Sequence, residues 1–139
     1  MMTQQIKTID LNEAQTVLTA AINKSIEISV PVFATVVNSV GQTVASARVD
    51  GTNFFAERIA NGKALTAVGM GAPTKLWEDV SETNPAFAGG ITSVRDFVPF
   101  AGGAPIHSDD VLIGAIGISG GTSEQDVIIA EAAVAALTK

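Results

Sequence analysis

The stretch 111-VLIGAIGISGGTSEQD-126 decides the fold. From Val111 to Ile118 every residue is apolar or glycine, the composition of a strand covered on both faces rather than one with a wet side. Such a strand belongs in the middle of a sheet. Ser119-Gly120-Gly121 then breaks the run, and Thr122 followed three residues later by Gln125 forms a capping box. The helix it starts carries Val127, Ala130, Val134 and Leu137 at helical spacing towards the end of the chain. A strand running through a double glycine into a helix leaves free amides at the helix terminus, a seat for a carboxylate or phosphate. The glycines serve equally to give a turn positive φ, or to let the strand approach a packed helix. No Lys-Ser/Thr follows them, so this is not a nucleotide P-loop, and it lies too late in the chain for a Rossmann unit.

Immediately upstream, Phe97–Phe100 and Ala104–His107 read as strands, with turns at Gly102-Gly103 and Ser108-Asp109-Asp110. The stretch 69–90 has Gly or Pro at six of its 22 positions and contains the only Trp; a short helix over Thr74–Val80 inside an irregular connection is predicted. Phe54–Val68 has helical spacing, with Phe55, Ile59, Lys63 or Ala64, and Ala67 on one side. Val32–Val49 reads as a hairpin reversing at Asn38-Ser39-Val40-Gly41. Asp10 with Glu13 caps a first helix whose apolar series is Leu11, Ala14, Leu18, Ala21, Ile22 and Ser25, ending before Pro31. Adjacent hairpins flanked by helices predict an α/β (α+β) domain spanning residues 1–139, with an antiparallel sheet of about five strands and helices on its faces.

Composition narrows the function classes. With 47% hydrophobic residues but only 5% aromatic, the core must be built from Ala, Val and Ile. A net charge of −6 without a Lys/Arg cluster gives no footprint for nucleic acid. The absence of Cys rules out disulfides, thiolate metal sites and thiol nucleophiles. No window approaches 18 apolar residues, and Met1–Leu11 lacks the pattern of a signal peptide, so no membrane association and a cytoplasmic location are expected. A surface poor in charge favours a homo-oligomer.

Four places offer chemistry. His107, the only histidine, is a candidate to ligate a metal or haem iron, or to act as a general base, although beside an exposed-looking turn it reads first as a surface residue. Arg48, Asp50 and Gly51 end a strand ahead of the helix that holds Lys63, and either cation suits a ligand carboxylate, although Arg48 can also pair with Asp50 or Glu57. Gly120, Gly121, Thr122 and Glu124 surround the last helix start. Ser119, Thr122 and Ser123 offer hydroxyls with no base placed by sequence to activate them, and Glu78-Asp79 reads as a solvated helix face.

Several blocks resemble the GlcG/HbpS-like family, which includes the C-terminal domain of PduO-type proteins. They are Arg48-Val-Asp50-Gly51, Lys63-Ala-Leu-Thr66-Ala67, Gly102-Gly103-Ala-Pro105-Ile106 and, most specific, 111–126. The resemblance extends over nearly the whole chain. It implies a profilin-like architecture, assembly into homo-oligomers and association with haem. Arg48, Asp50, Gly51, Lys63, Thr66, Gly102, Gly103, Pro105, Gly120, Gly121 and Glu124 match the family pattern. The resulting expectation is a cytoplasmic small-molecule binding protein for haem or a related anionic tetrapyrrole. Its ligand lies near Gly102-Gly103, with its carboxylates on Lys63 or Arg48. The alternatives are a small isomerase, lyase or hydrolase acting on a carboxylic acid through His107 or Lys63, and a ligand-free assembly or sensory partner.

Overall fold

A computed structural model describes residues 2–137. Four strands, β1 (Phe33–Asn38), β2 (Thr43–Arg48), β3 (Gly103–Ser108) and β4 (Val111–Ser119), form one antiparallel sheet in the order β2-β1-β4-β3. Five α-helices are found among the described residues: α1 (Leu11–Glu27), α2 (Ala56–Met70), α3 (Lys75–Thr83), α4 (Pro85–Gly90) and α5 (Ser123–Ala135). A 3₁₀ turn over Ile91–Ser93 follows α4. The expectation that the last helix runs to the chain end falls partly on Thr138 and Lys139, which lie outside the described residues.

β4 takes the central place its composition demands, flanked by β1 and β3. Both predicted capping boxes form. At α1 the Glu13 amide donates to Asp10 Oδ1 at 2.8 Å, and at α5 the Gln125 amide donates to Thr122 Oγ1 at 3.2 Å. Asp109 and Asp110 both adopt positive φ, 51° and 64°, which makes the β3–β4 connection a two-residue turn of the type that matches strand twist. At the β1–β2 turn the Asn38 side-chain oxygen accepts from the amides of Val40 and Gln42.

One face of the sheet carries α1 and α5. There Ile116 and Ile118 join Val17, Ala21, Ile129 and Ala133 in the main core. Each fully buried isoleucine contributes about 1.5–3 kcal/mol relative to exposure. The other face carries α2 alone, and the layer between is thin. A Cβ on Gly117 would lie 2.0 Å from the Ala60 carbonyl oxygen, so the helix backbone rests almost directly on the strand.

That contact explains the first of two departures from expectation. The buried stripe of α2 is Ala56, Ala60, Lys63, Ala64 and Ala67, whereas Phe55, placed on the inner face by spacing alone, is 60% exposed. Only small side chains fit at this separation. The second departure is the strand count, four rather than about five. Residues 97–100 form no ladder because the Val98 amide donates to Thr66 Oγ1 and Pro99 has no N–H, and just beyond them the Ala101 amide donates to Glu78. The connection 69–90 also holds α4 as well as the expected short helix, begun by an Asn84 cap and Pro85 in its first turn.

Gly117→Ala is expected to lower stability by about 1–3 kcal/mol, because α2 must shift outward to admit the methyl group. Urea denaturation checks this, and an unchanged midpoint contradicts the close packing.

Candidate functional site

Lys63 lies on the sheet side of α2 and is only 3% exposed. Its ammonium donates to the Ile118 carbonyl oxygen at 2.7 Å and to Asp126 Oδ2 at 3.1 Å, while Asp126 Oδ1 accepts from the Gly121 amide at 2.9 Å. One ion pair thus joins α2, β4 and the start of α5. Burial pulls the Lys63 ammonium below the ordinary lysine range, opposed by Asp126 and more weakly by Glu78. Burial likewise raises the Asp126 carboxyl, opposed by Lys63 and the Gly121 N–H.

Gly102 and Gly103 close over this pair. A Cβ on Gly102 would sit 2.9 Å from Lys63 Nζ and 2.7 Å from the Ile118 oxygen, and one on Gly103 would sit 2.5 Å from the Lys63 carbonyl oxygen. Beside them Thr74 is fully buried. Its hydroxyl accepts from the Gly103 amide at 2.7 Å, and its own amide donates to the Gly103 oxygen at 3.0 Å.

Above the glycines runs a groove between the start of α3 and the length of α5. Its widest part, about 540 Å³, is lined by Lys75, Glu78, Ser123, Glu124, Val127 and Ile128. A hollow of about 140 Å³ over Gly102, Gly103 and Ala104 shares Lys75 and Val127 with it. A third part of about 380 Å³ continues past Pro105 and Glu131 to Val134. Lys75 is the cation of this groove, donating to Asp79 Oδ1 at 2.7 Å, a bond that raises its ammonium above the ordinary range. Glu78 spans the gap: its Oε1 accepts from the Ala101 amide at 3.1 Å and from Ser123 Oγ at 2.8 Å. Burial acts to raise the Glu78 carboxyl, but these two bonds and Lys75 outweigh it and hold the group below its usual value.

The expected site residues divide sharply. Gly102, Gly103, Pro105 and Glu124 line the groove. Lys63 lies beneath it, its ammonium committed to Asp126. Thr66 is buried, donating to the Gly62 oxygen and accepting from Val98. Gly120 packs against Pro31, where a Cβ would meet the carbonyl oxygen at 2.5 Å. The helix terminus expected to seat an anion is filled by the protein's own groups: Gly121 donates to Asp126, and Thr122 exchanges bonds with Gln125. Arg48 pairs with Glu57 at 2.9 Å, donates to the Asn53 oxygen and lies 5.3 Å over the Phe33 ring, while Asp50 is exposed on the following turn. His107 is exposed on β3, an edge strand, and does not line the groove. Among the described residues no three His, Asp or Glu side chains converge as a metal site.

Lys75 and Glu78 escape the sequence reading. The i, i+3 spacing of Lys75 to Glu78 and i, i+4 spacing to Asp79 are those of an ordinary solvated helix, and the partners that give Glu78 its role lie 23 and 45 residues away.

A four-stranded antiparallel sheet with α2 on one face and α1 and α5 on the other defines a mixed α/β class with a lateral groove. Residues 9–135 match the family described as haem degrading protein HbpS-like, and the chain belongs to that family. It is 36% identical over 132 residues to an uncharacterised 15.0 kDa protein from the dhaT-dhaS intergenic region of Citrobacter freundii, covering 94% of this chain and 93% of the relative. It is 34% identical over 119 residues to the corrinoid adenosyltransferase PduO of Salmonella typhimurium, covering 85% of this chain but only 35% of that protein's length. The solved structure of a PduOC:heme complex superposes with a TM-score of 0.87 at 31% identity, covering 94% of this chain and 96% of that one.

Removing one member of the buried pair, as in Asp126→Ala, is expected to cost about 3–5 kcal/mol. The double replacement Lys63→Met with Asp126→Leu is expected to restore most of that loss. Denaturant midpoints of the single and double variants measure the difference; a double variant no better than the single contradicts a purely architectural pair.

Proposed function

We propose that this protein binds haem or a closely related tetrapyrrole in the groove between α3 and α5. The groove carries the reading. It offers a concave, largely apolar surface from Val127 and Ile128 over Gly102, Gly103 and Ala104, with an ammonium, Lys75, at its wall. Mostly apolar clefts with a few placed polar groups are the usual form of small-molecule sites. The heme complex of the 31% identical PduOC supports the ligand class.

The residues fit the macrocycle and one carboxylate. Val127, Ile128 and Ala130 would cover the macrocycle, and Lys75 would exchange one of its carboxylate partners for a propionate. When bound, the haem supplies a redox-active iron. The groove lining contributes carboxylates from Glu78, Glu124 and Glu131, with no imidazole or thioether among its residues. Glu78, Glu124 or Glu131 would offer such an iron weak-field oxygen donors, and His107, on the edge strand, would stay outside its coordination. The same reading makes the protein a cytoplasmic homo-oligomer. The exposed Phe54 and Phe55 side chains support self-association, and no helix among the described residues is long and apolar enough to cross a membrane.

Titration with haemin is expected to give a saturable Soret change with a high-spin ferric spectrum. Lys75→Gln is expected to weaken binding by about fivefold or less, and His107→Ala to leave curve and spectrum as they were. A flat titration removes the proposal. A low-spin spectrum lost in His107→Ala would move the ligand to β3.

A further inference from the structure

Residues 75–96 differ from the rest of the chain in how they are held. Neither α3, α4 nor the 3₁₀ turn buries a single residue, and none of the clusters of buried apolar side chains takes a member from 75–100. The segment is fixed firmly at its two ends. At one, Thr74 is bonded to Gly103; at the other, the Val98 amide donates to Thr66 Oγ1 and its side chain fills the notch left by Gly62. Between these roots the segment has a small core of its own: Trp77 stacks on Phe87 at 5.7 Å, and both rings meet Phe97 edge-on at the root.

Apart from the Asp96 carbonyl oxygen beside the second root, which accepts from Thr66 Oγ1, polar contact with the body among the described residues runs through the Glu78 side chain, which reaches the Ala101 amide and, across the groove, Ser123 on α5. The closed arrangement also contains a defect. The Trp77 indole N–H is buried without a hydrogen-bond partner. A buried unsatisfied donor costs about 1–3 kcal/mol that exposure to water recovers. Segments with few buried apolar contacts open locally far below the free energy of global unfolding.

We infer that residues 75–96 are an arm that comes off α5 and opens locally as one cooperative unit, the hydrogen bonds of its short helices breaking with it, with Glu78 as its latch and the roots at Thr74 and Val98 as its hinges. Opening widens the groove by withdrawing Lys75 and Glu78 from Ser123, Glu124 and Val127. Its role in ligand entry rests on the groove reading; the motion itself does not.

Hydrogen exchange on the ligand-free, full-length protein tests the arm. The amides of Asn84 and Ala88, bonded to Val80 and Asn84 within the arm, report on it, and that of Ile118, bonded to Gly102, reports on the body. In Glu78→Ala the two arm amides are expected to exchange about tenfold faster by a common factor, with Ile118 unchanged. Ser123→Ala removes one of the two latch bonds and is expected to act in the same sense but less, which keeps the test open if Glu78→Ala folds poorly. Arm exchange unchanged in both variants, or Ile118 accelerated equally, overturns the inference. Adding haemin to the unmodified protein separates the two readings. Slowed arm exchange supports both, whereas no slowing with the variant pattern intact supports the arm and removes haem from the groove.

Discussion

The closeness of α2 to β4 governs the rest of the molecule. With no room for a side chain between Gly117 and the Ala60 carbonyl, every residue at this contact must be small, and the alanines at 56, 60, 64 and 67 follow. The same closeness brings Lys63 within reach of the Ile118 carbonyl, so its ammonium is forced into the interior. A buried cation needs a counter-charge, and Asp126 supplies it from the first turn of α5. Asp126 in turn fixes the Gly121 amide and therefore where α5 begins. Nothing larger than glycine then fits at 102 and 103, because the pair lies directly beneath them. The floor of the groove is thus backbone and small side chains as a consequence of the helix-on-strand packing of Ala60 on Gly117.

What the sequence revealed and what it hid separate along this chain of dependence. Signals that act within one turn of chain were readable: the capping residues Asp10 with Glu13 and Thr122 with Gln125, the Asp109-Asp110 reversal, and the unbroken apolar run of β4. Signals set by partners far along the chain were not. Spacing places Lys63 in the apolar stripe of α2, itself a sign of a buried charge, yet nothing local names Asp126, 63 residues away. Phe55 and Ile59 were the more hydrophobic choice for the inner face, but the size limit imposed by Gly117 outweighs hydrophobicity. The strand expected at 97–100 failed for a related reason: the Val98 amide is taken by Thr66 and that of Ala101, just past the segment, by Glu78, partners 32 and 23 residues away. Asn84-Pro85 was a legible start signal for α4, obscured by the glycines that surround it.

The groove joins two walls of unequal firmness. α5 is anchored through Ile129, Ala130 and Ala133 in the main core and through Asp126 in the ion pair. α3 has no such anchorage and is held at its start by Thr74 and across the gap by Glu78. A site with one fixed wall can hold a ligand in a defined orientation, and one yielding wall allows a rigid planar ligand to enter without disturbing the core. Loops carried on a rigid scaffold are where binding residues usually concentrate.

Charge and apolar area together decide which ligands such a groove favours. A small carboxylate entering it would gain chiefly one ion pair with Lys75, a half-exposed side chain, and pairs of that kind are worth about 0–1 kcal/mol. It would also meet the carboxylates of Glu124 and Glu131 and would have to displace Glu78 and Asp79 from Lys75. The balance is close to zero or unfavourable. A flat macrocycle faces the same electrostatic terms but brings apolar area as well. Covering about 200 Å² of apolar surface contributes about 5 kcal/mol, well above the electrostatic cost. These terms favour a ligand whose affinity comes from apolar ring area and whose few charges serve to orient it, and the tetrapyrrole proposal rests on that form.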